Sequence, residues 1–166
     1  MLLKFRKSEK ATIVLNDLIK INNDRISCYQ QATDQGTNLD IDTKILFRQI
    51  INEALEFKHD LIDKIKQLEG NPKDTVTISG MVHRAWVDLK VTFTGNTRNS
   101  IINFCEYNEQ VAQHAYKVAI DMLSAANQEI CTLVEHQQAC MQSSFESLKK
   151  CHEARPYINA RLVYFN

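Results

Sequence analysis

Glycine and proline are scarce in this chain, and most of them sit together. The stretch GNPKDTVTISGMVHRAWVDLKVTFTGNT, Gly70 to Thr97, holds three of the four glycines, one of the two prolines and the only tryptophan. These two residue types interrupt helices, so the flanking segments are left to run as long, unbroken ones. Their apolar residues recur at helical spacing. The first helix is expected from about Ser8, an N-cap residue, to about Asp34, with Gly36 as a stop. Its stripe is Ala11, Leu15, Leu18, Ile21, Cys28, Tyr29 and Ala32. The second runs from about Asp42 to Glu69, stopped by Gly70 and Pro72, with Phe47, Ile50, Ala54, Phe57, Leu61, Ile65 and Leu68 facing inward. A third starts near Thr97 and presents Ile101, Phe104, Cys105, Ala112, Tyr116, Ala119 and Leu123. Asn127 caps a fourth, which carries Ile130, Leu133, Met141, Leu148 and Cys151 until ARP ends it. Four long amphipathic helices predict an all-α four-helix bundle spanning residues 1–153, followed by a tail at 154–166.

Loop lengths set the topology. Short loops make the first two helices an antiparallel pair, and likewise the last two. A structureless link of the length of 70–97 is unusual in a compact domain. It has a helical pattern of its own, from Ser79 through Met81, Val82, Ala85, Trp86, Leu89 and Phe93 to Gly95. A helix of about 14 residues covers about 21 Å, and extended flanks cover the rest of a bundle about 40 Å long. The stretch is therefore predicted to cross over the outside of the bundle, with a short helix at 79–94 and Trp86 packed against the bundle. The second and third helices then run parallel, which is the ferritin-like arrangement.

Three blocks carry a resemblance. LNDLIKINNDRISCYQQA, SGMVHRAWVDLKVTFTG and CEYNEQVAQHAYKVAI closely resemble a bacterial ferritin-like family of four-helix bundles that bears a domain-of-unknown-function label. The resemblance spans residues 11 to 153. It implies the fold and no reaction. The family pattern has Glu directly after the tyrosine of the first block, where this chain has Gln30, and it continues as helix where this chain has ARPYINARLVYFN.

A ferritin-like bundle raises the question of metal. Di-iron bundles use a Glu from each of two helices and Glu-x-x-His from the other two, all pointing inward. EFKH, Glu56 to His59, has the spelling, but at 100° per residue both side chains fall roughly 130° or more from the centre of the stripe. The fourth helix has no Glu-x-x-His; His136 sits beside its stripe and His152 near its end. His114 projects outward, and His83 and Arg84 are read as solvating the crossover. The inward polar residues are Asn22 and Arg25, Lys58 with Glu53 at the border, Asn108 with Glu109 nearer the edge, and Gln137 with Ser144. With the crossover topology, Arg25, Glu53, Glu109 and Ser144 fall at nearly one height. A guanidinium with five donors can bridge two carboxylates, so these four are read as a structural polar layer that fixes register. Glu53 and Glu109 are the only residues left for the alternative, iron or another divalent metal.

Charge and composition exclude more than they assign. Twenty basic and twenty acidic residues cancel, and no basic block marks a nucleic-acid partner. No apolar run approaches a membrane span, and MLLKFRKSEK is too polar for a signal peptide. Five cysteines, odd in number and without a CxxC pair, read as free core thiols of a cytoplasmic protein. The apolar tail Tyr157 to Phe165 has two destinations, its own bundle or a second copy in a homo-oligomer. No nucleophile–base constellation or phosphate loop is present. The expected function is a non-enzymatic structural or interaction module without a cofactor. The alternatives are a di-iron carboxylate protein for iron storage or oxidative stress, and a carrier of a small apolar ligand.

Overall fold

The computed structural model describes residues 2–36, 38–72, 97–124 and 127–154, with side chains from Lys7 onward. Four helices account for nearly all of them: α1 (Leu2–Gln35), α2 (Ile41–Gln67), α3 (Arg98–Leu123) and α4 (Gln128–Glu153). The crossover helix expected at 79–94, with Trp86, His83 and Arg84, lies outside the described residues, as does the tail from 155 onward.

The helices α2, α3 and α4 each start where a side chain can accept an orphan N–H. Asp40 accepts from Thr43 N at 2.8 Å, Thr97 from Ser100 N at 3.2 Å and Asn127 from Ile130 N at 3.2 Å. Ser8 does not cap α1. The helix begins six residues earlier, because LLKFRK holds no breaker, and Ser8 Oγ instead donates to Leu68 O at 3.3 Å. The end of α2 also differs from the expectation. Glu69, not Gly70, takes the left-handed conformation at φ 57°. Glu69 N donates to Lys66 O and Gly70 N to Ile65 O, which closes the last turn. Gly70 is needed for another reason: a Cβ there would stand 2.7 Å from Thr12 Oγ1 and 2.9 Å from its Cγ2. It lets the chain leaving α2 lie directly on α1.

Helix directions follow from the cross-links. Along α1 and α2, Ser8 meets Leu68 and Arg25 meets Glu53. Along α1 and α3, Asn22 meets Tyr116 and Arg25 meets Glu109. Both pairs are antiparallel, so α2 and α3 run parallel. Between α2 and α4, Thr43 meets Cys151 and Lys64 meets Glu129, antiparallel again. The helices therefore form a square in which α1 packs on α2 and α3, and α4 packs on α3 and more sparsely on α2. Residues 68 and 97 stand at opposite ends of this square. The link between them has the ends of a ferritin-like crossover.

The stripes read from the sequence form the core, with Leu68, Phe104, Leu133, Lys58 and Ser144 only half-buried. Cys28, Cys105 and Cys131 are buried free thiols; Cys140 and Cys151 are half-buried rather than core, because both sit at the edge of the α4 stripe. The core comes in two parts. One gathers Leu15, Leu18, Phe57, Leu61, Tyr116 and Met141; the other gathers Tyr29, Phe47, Ile50, Ile101, Cys105 and Leu148.

The second part is closed by an ionic clasp. Arg98, the first residue of α3, donates to Asp40 Oδ2 at 2.8 Å and to Cys151 O at 2.7 Å. One guanidinium thereby joins the start of α2, the start of α3 and the last turn of α4. Burial pushes the Asp40 carboxyl up, but the Thr43 N–H and the Arg98 guanidinium outweigh that and hold it at about 2. A carboxylate depressed in the folded state stabilises it above the unfolded pKa, near 4, and that contribution is lost as pH falls from about 4 to about 2. Asp40→Ala is expected to destabilise the protein by about 1–2 kcal/mol at pH 7, with the difference from wild type shrinking below pH 4. Thermal melts at pH 7, 4 and 2.5 check it, and a pH-independent difference would contradict it.

Candidate functional site

The largest polar feature of the interior lies between the two apolar halves. Its centre is Arg25 on α1, fully buried although it is the most polar side chain available. Its Nε donates to Glu109 Oε1 at 3.0 Å and its Nη2 to Glu109 Oε2 at 3.1 Å, a two-pronged pair with α3. Nη2 also donates to Glu53 Oε1 on α2 at 2.9 Å. Nη1 donates to Asn22 Oδ1, one turn back on α1, at 3.2 Å. Ser144 on α4 completes the layer by donating to Glu53 Oε2 at 2.6 Å. The four residues singled out by height are thus joined by direct hydrogen bonds across four helices.

A second polar chain runs from the same centre. Asn22 Nδ2 donates to Tyr116 OH at 2.7 Å and to Leu18 O at 2.9 Å. Tyr116 OH donates to Gln137 Oε1 at 3.0 Å, and Gln137 Nε2 donates to Phe57 O at 3.2 Å. The sequence reading counted Tyr116 only as an apolar stripe residue. Its hydroxyl was legible only through the inward positions of Asn22 and Gln137, the polar side chains it connects.

Electrostatics keep this layer charged at its centre. Burial alone would pull the Arg25 pKa down; the neighbouring charges of Glu109 and then Glu53 more than reverse that. The Arg25 guanidinium also lies 6.0 Å from the centroid of the Phe57 ring. Burial pushes the Tyr116 phenol well up, so it stays a neutral donor. One expectation needs correction. Glu109 was placed near the stripe edge, yet its side chain is fully buried, whereas Glu53 keeps 18% of its exposure. The Arg25 pair pulls Glu109 inward; Glu53 borders an open groove between α2 and α4 beside Leu46, Gln49, Cys140, Ser143 and Ser147.

The other candidates fall outside this site. Glu56 and His59 are exposed, and His59 faces Asp63 at 3.4 Å on its own helix. His114 and His136 are exposed. His152 Nδ1 lies 2.9 Å from Glu106 Oε1, a pair between α4 and α3 that the sequence reading missed. Gln30 is exposed and takes no part in the layer. Asp17 is buried with Oδ2 unpartnered, and burial pushes its carboxyl up to about 6. Such a group favours the folded state at low pH and costs stability as pH rises from about 4 to about 6.

A two-metal centre would need inward carboxylates and histidines around an open position. Here the position between Glu53 and Glu109 is filled by the Arg25 guanidinium. Among the described residues, no three His, Cys, Asp or Glu side chains converge as metal ligands. The described residues do not present the ligand set of a di-metal centre.

The family profile described as a domain of unknown function (DUF2383) matches residues 10–122. The chain belongs to the DUF2383 family. That match takes in most of α1, all of α2 and nearly all of α3, and so Arg25, Glu53 and Glu109. A solved structure described as a ferritin-like, diiron-carboxylate protein from Bacillus anthracis str. Ames superposes with a TM-score of 0.65. The alignment covers 88% of this DUF2383 chain and 97% of the other at 18% identity, a likeness of fold. No curated protein matches the sequence.

Two sets of variants test the energetics of the layer. Arg25→Met leaves two carboxylates facing each other and is expected to cost about 3–5 kcal/mol. Combining it with Glu53→Gln and Glu109→Gln should recover part of the loss, read as denaturant midpoints at constant m. Equal, near-zero shifts would mean the three side chains do not interact. The two tyrosines buried among the described residues should also differ. Tyr29 OH has no hydrogen-bond partner, so Tyr29→Phe is expected to be neutral or stabilising by up to about 1 kcal/mol. Tyr116→Phe strands Asn22 and Gln137 and should cost about 1–3 kcal/mol in the same denaturation assay.

Proposed function

We propose that this protein is a non-enzymatic helical bundle that acts as a structural or interaction module, and that the Arg25–Glu53–Glu109–Ser144 layer serves stability and register rather than catalysis. The observation that carries the reading is the guanidinium between the two carboxylates. A catalytic site keeps a polar group free to meet a substrate. Here the central polar groups are satisfied by one another, and the most deeply buried of them, Arg25 and Glu109, are closed off from solvent. Ionic layers of this kind specify register because any other stagger would bury unpaired charge.

The setting we propose is cytoplasmic, which the free thiols favour. Among the described residues no helix is long and apolar enough to cross a membrane. The balance of charge favours no nucleic-acid partner. A homo-oligomer is the form of interaction we propose. Ile41, Ile45 and Leu55 lie along one face of α2 and are exposed, Ile41 by 73%, which supports a contact with a second copy.

The second reading, a diiron protein for iron storage or oxidative stress, draws on the likeness of fold. Metal content separates the two. After expression in iron-supplemented medium, elemental analysis of the purified protein is expected to find far less than one iron per chain. Two irons per chain, lost on Glu53→Gln or Glu109→Gln, would overturn the proposal. An apolar-ligand carrier draws less support, since the groove between α2 and α4 is open and lined mainly by polar side chains.

A further inference from the structure

The outward face of α2 carries an order of charges that the bundle itself does not use. Ile41, Ile45 and Leu55 are exposed there, Ile45 by 47% and Leu55 by 48%. Arg48, Asn52, Glu56 and His59 fall in the same sector, about 100° wide at 100° per residue, and all four are exposed. Arg48 stands one turn before Asn52 and Glu56 one turn after it. Lys44 and Asp60 repeat that order a further turn out on each side. Nearer the end of α2 the charges are already paired, His59 and Lys66 with Asp63, and Lys64 with Glu129. Arg48 and Glu56 have no ion-pair partner among the described residues. They cannot meet each other, because the helix between them rises about 12 Å.

We propose that this face is a homodimer contact in which α2 packs antiparallel against α2 of a second copy, on a two-fold axis passing beside Asn52. The inference rests on the homo-oligomer reading above and specifies its geometry. Charge selects the occupant and the orientation. A two-fold contact is self-complementary, so the face must fit itself. Antiparallel packing centred on Asn52 brings Arg48 of each copy opposite Glu56 of the other, and Lys44 towards Asp60. Parallel packing would set Arg48 against Arg48 and Glu56 against Glu56. With basic and acidic groups balanced about its middle, the face suits neither a uniformly acidic nor a uniformly basic partner. The same register brings Ile45 of each copy within a turn of Leu55 of the other, which covers both. Asn52 meets its own counterpart at the axis, and an amide has both donors and an acceptor to offer there. Apolar burial supplies most of the attraction, and the charges fix partner and register.

Charge reversal tests the inference, read by sedimentation equilibrium of the full chain across micromolar concentrations. Wild type should show a monomer–dimer equilibrium. Arg48→Glu and Glu56→Arg should each weaken dimerisation at least tenfold (roughly, from the two like-charge contacts created per dimer). The variant carrying both changes should dimerise like wild type, because each new charge again faces its opposite. An equimolar mixture of the two single variants should form a heterodimer tighter than either homodimer. Both positions are exposed, so helical circular dichroism should match wild type, and recovery in the mixture shows that the same two chains are intact. Ile45→Asp should abolish dimers in the wild-type and doubly reversed chains alike, a readout that needs neither single reversal. A dimer that survives Ile45→Asp, ignores the single reversals or fails to recover in the mixture overturns this inference and leaves the homo-oligomer reading standing. Wild type that stays monomeric, with the α2 face left to the chain's own tail or to a different protein, overturns both.

Discussion

The burial of one guanidinium constrains most of this structure. An unpaired Arg25 in the middle of a four-helix bundle would be strongly unfavourable, so its partners must arrive at the same height from neighbouring helices. Glu109 supplies two oxygens from α3, Glu53 one from α2, and Ser144 on α4 holds Glu53 in place. Each helix is thereby fixed along its axis. Sliding α2 or α3 by one turn, about 5.4 Å, would separate charges that have no other buried partner. Apolar stripes alone tolerate such slips better, because one aliphatic layer can substitute for the next.

The layer also divides the core. On one side, Asn22, Tyr116 and Gln137 extend the polar chain before the long aliphatic half begins. On the other, Tyr29 and Phe47 meet edge to face at 5.1 Å and lead to the clasp of Asp40, Arg98 and Cys151. The two arginines do related work in different surroundings. Arg25 is sealed from water and depends on full pairing. Arg98 is partly exposed; the C-terminal end of α4 favours its charge, while the Asp40 carboxylate offsets the positive N-terminal ends of α2 and α3 that lie beside it.

This view separates likeness of fold from likeness of chemistry. The bundle shares its fold with a structure described as a diiron-carboxylate protein at 18% identity. Fold alone does not carry a reaction; the side chains at the centre do. Here they are an arginine, two glutamates and a serine, with Arg25 bonded to both glutamates and Ser144 to Glu53.

The sequence by itself determined the helices and the faces they bury. Gly and Pro gathered in one stretch, and apolar residues at 3.6 spacing elsewhere, leave few other solutions. It also determined that Arg25 points inward, since that follows from its place in the α1 stripe. The parallel run of α2 and α3 was legible from the length of the link between them. Other features were decided only in three dimensions. Glu109 lies at a stripe edge by spacing, yet is fully buried because the two-pronged pair with Arg25 outweighs its cost of desolvation. Gly70 reads as a helix stop, but its lack of a side chain serves the close approach to Thr12, while Glu69 adopts the left-handed turn. Asp40, Arg98 and Cys151 are far apart in the chain and meet only because the square brings three helix ends together. Spacing along one helix defines a direction, and direction is enough to sort inside from outside. Which polar groups meet, and at what distance, depends on the relative height of helices that no single stripe encodes.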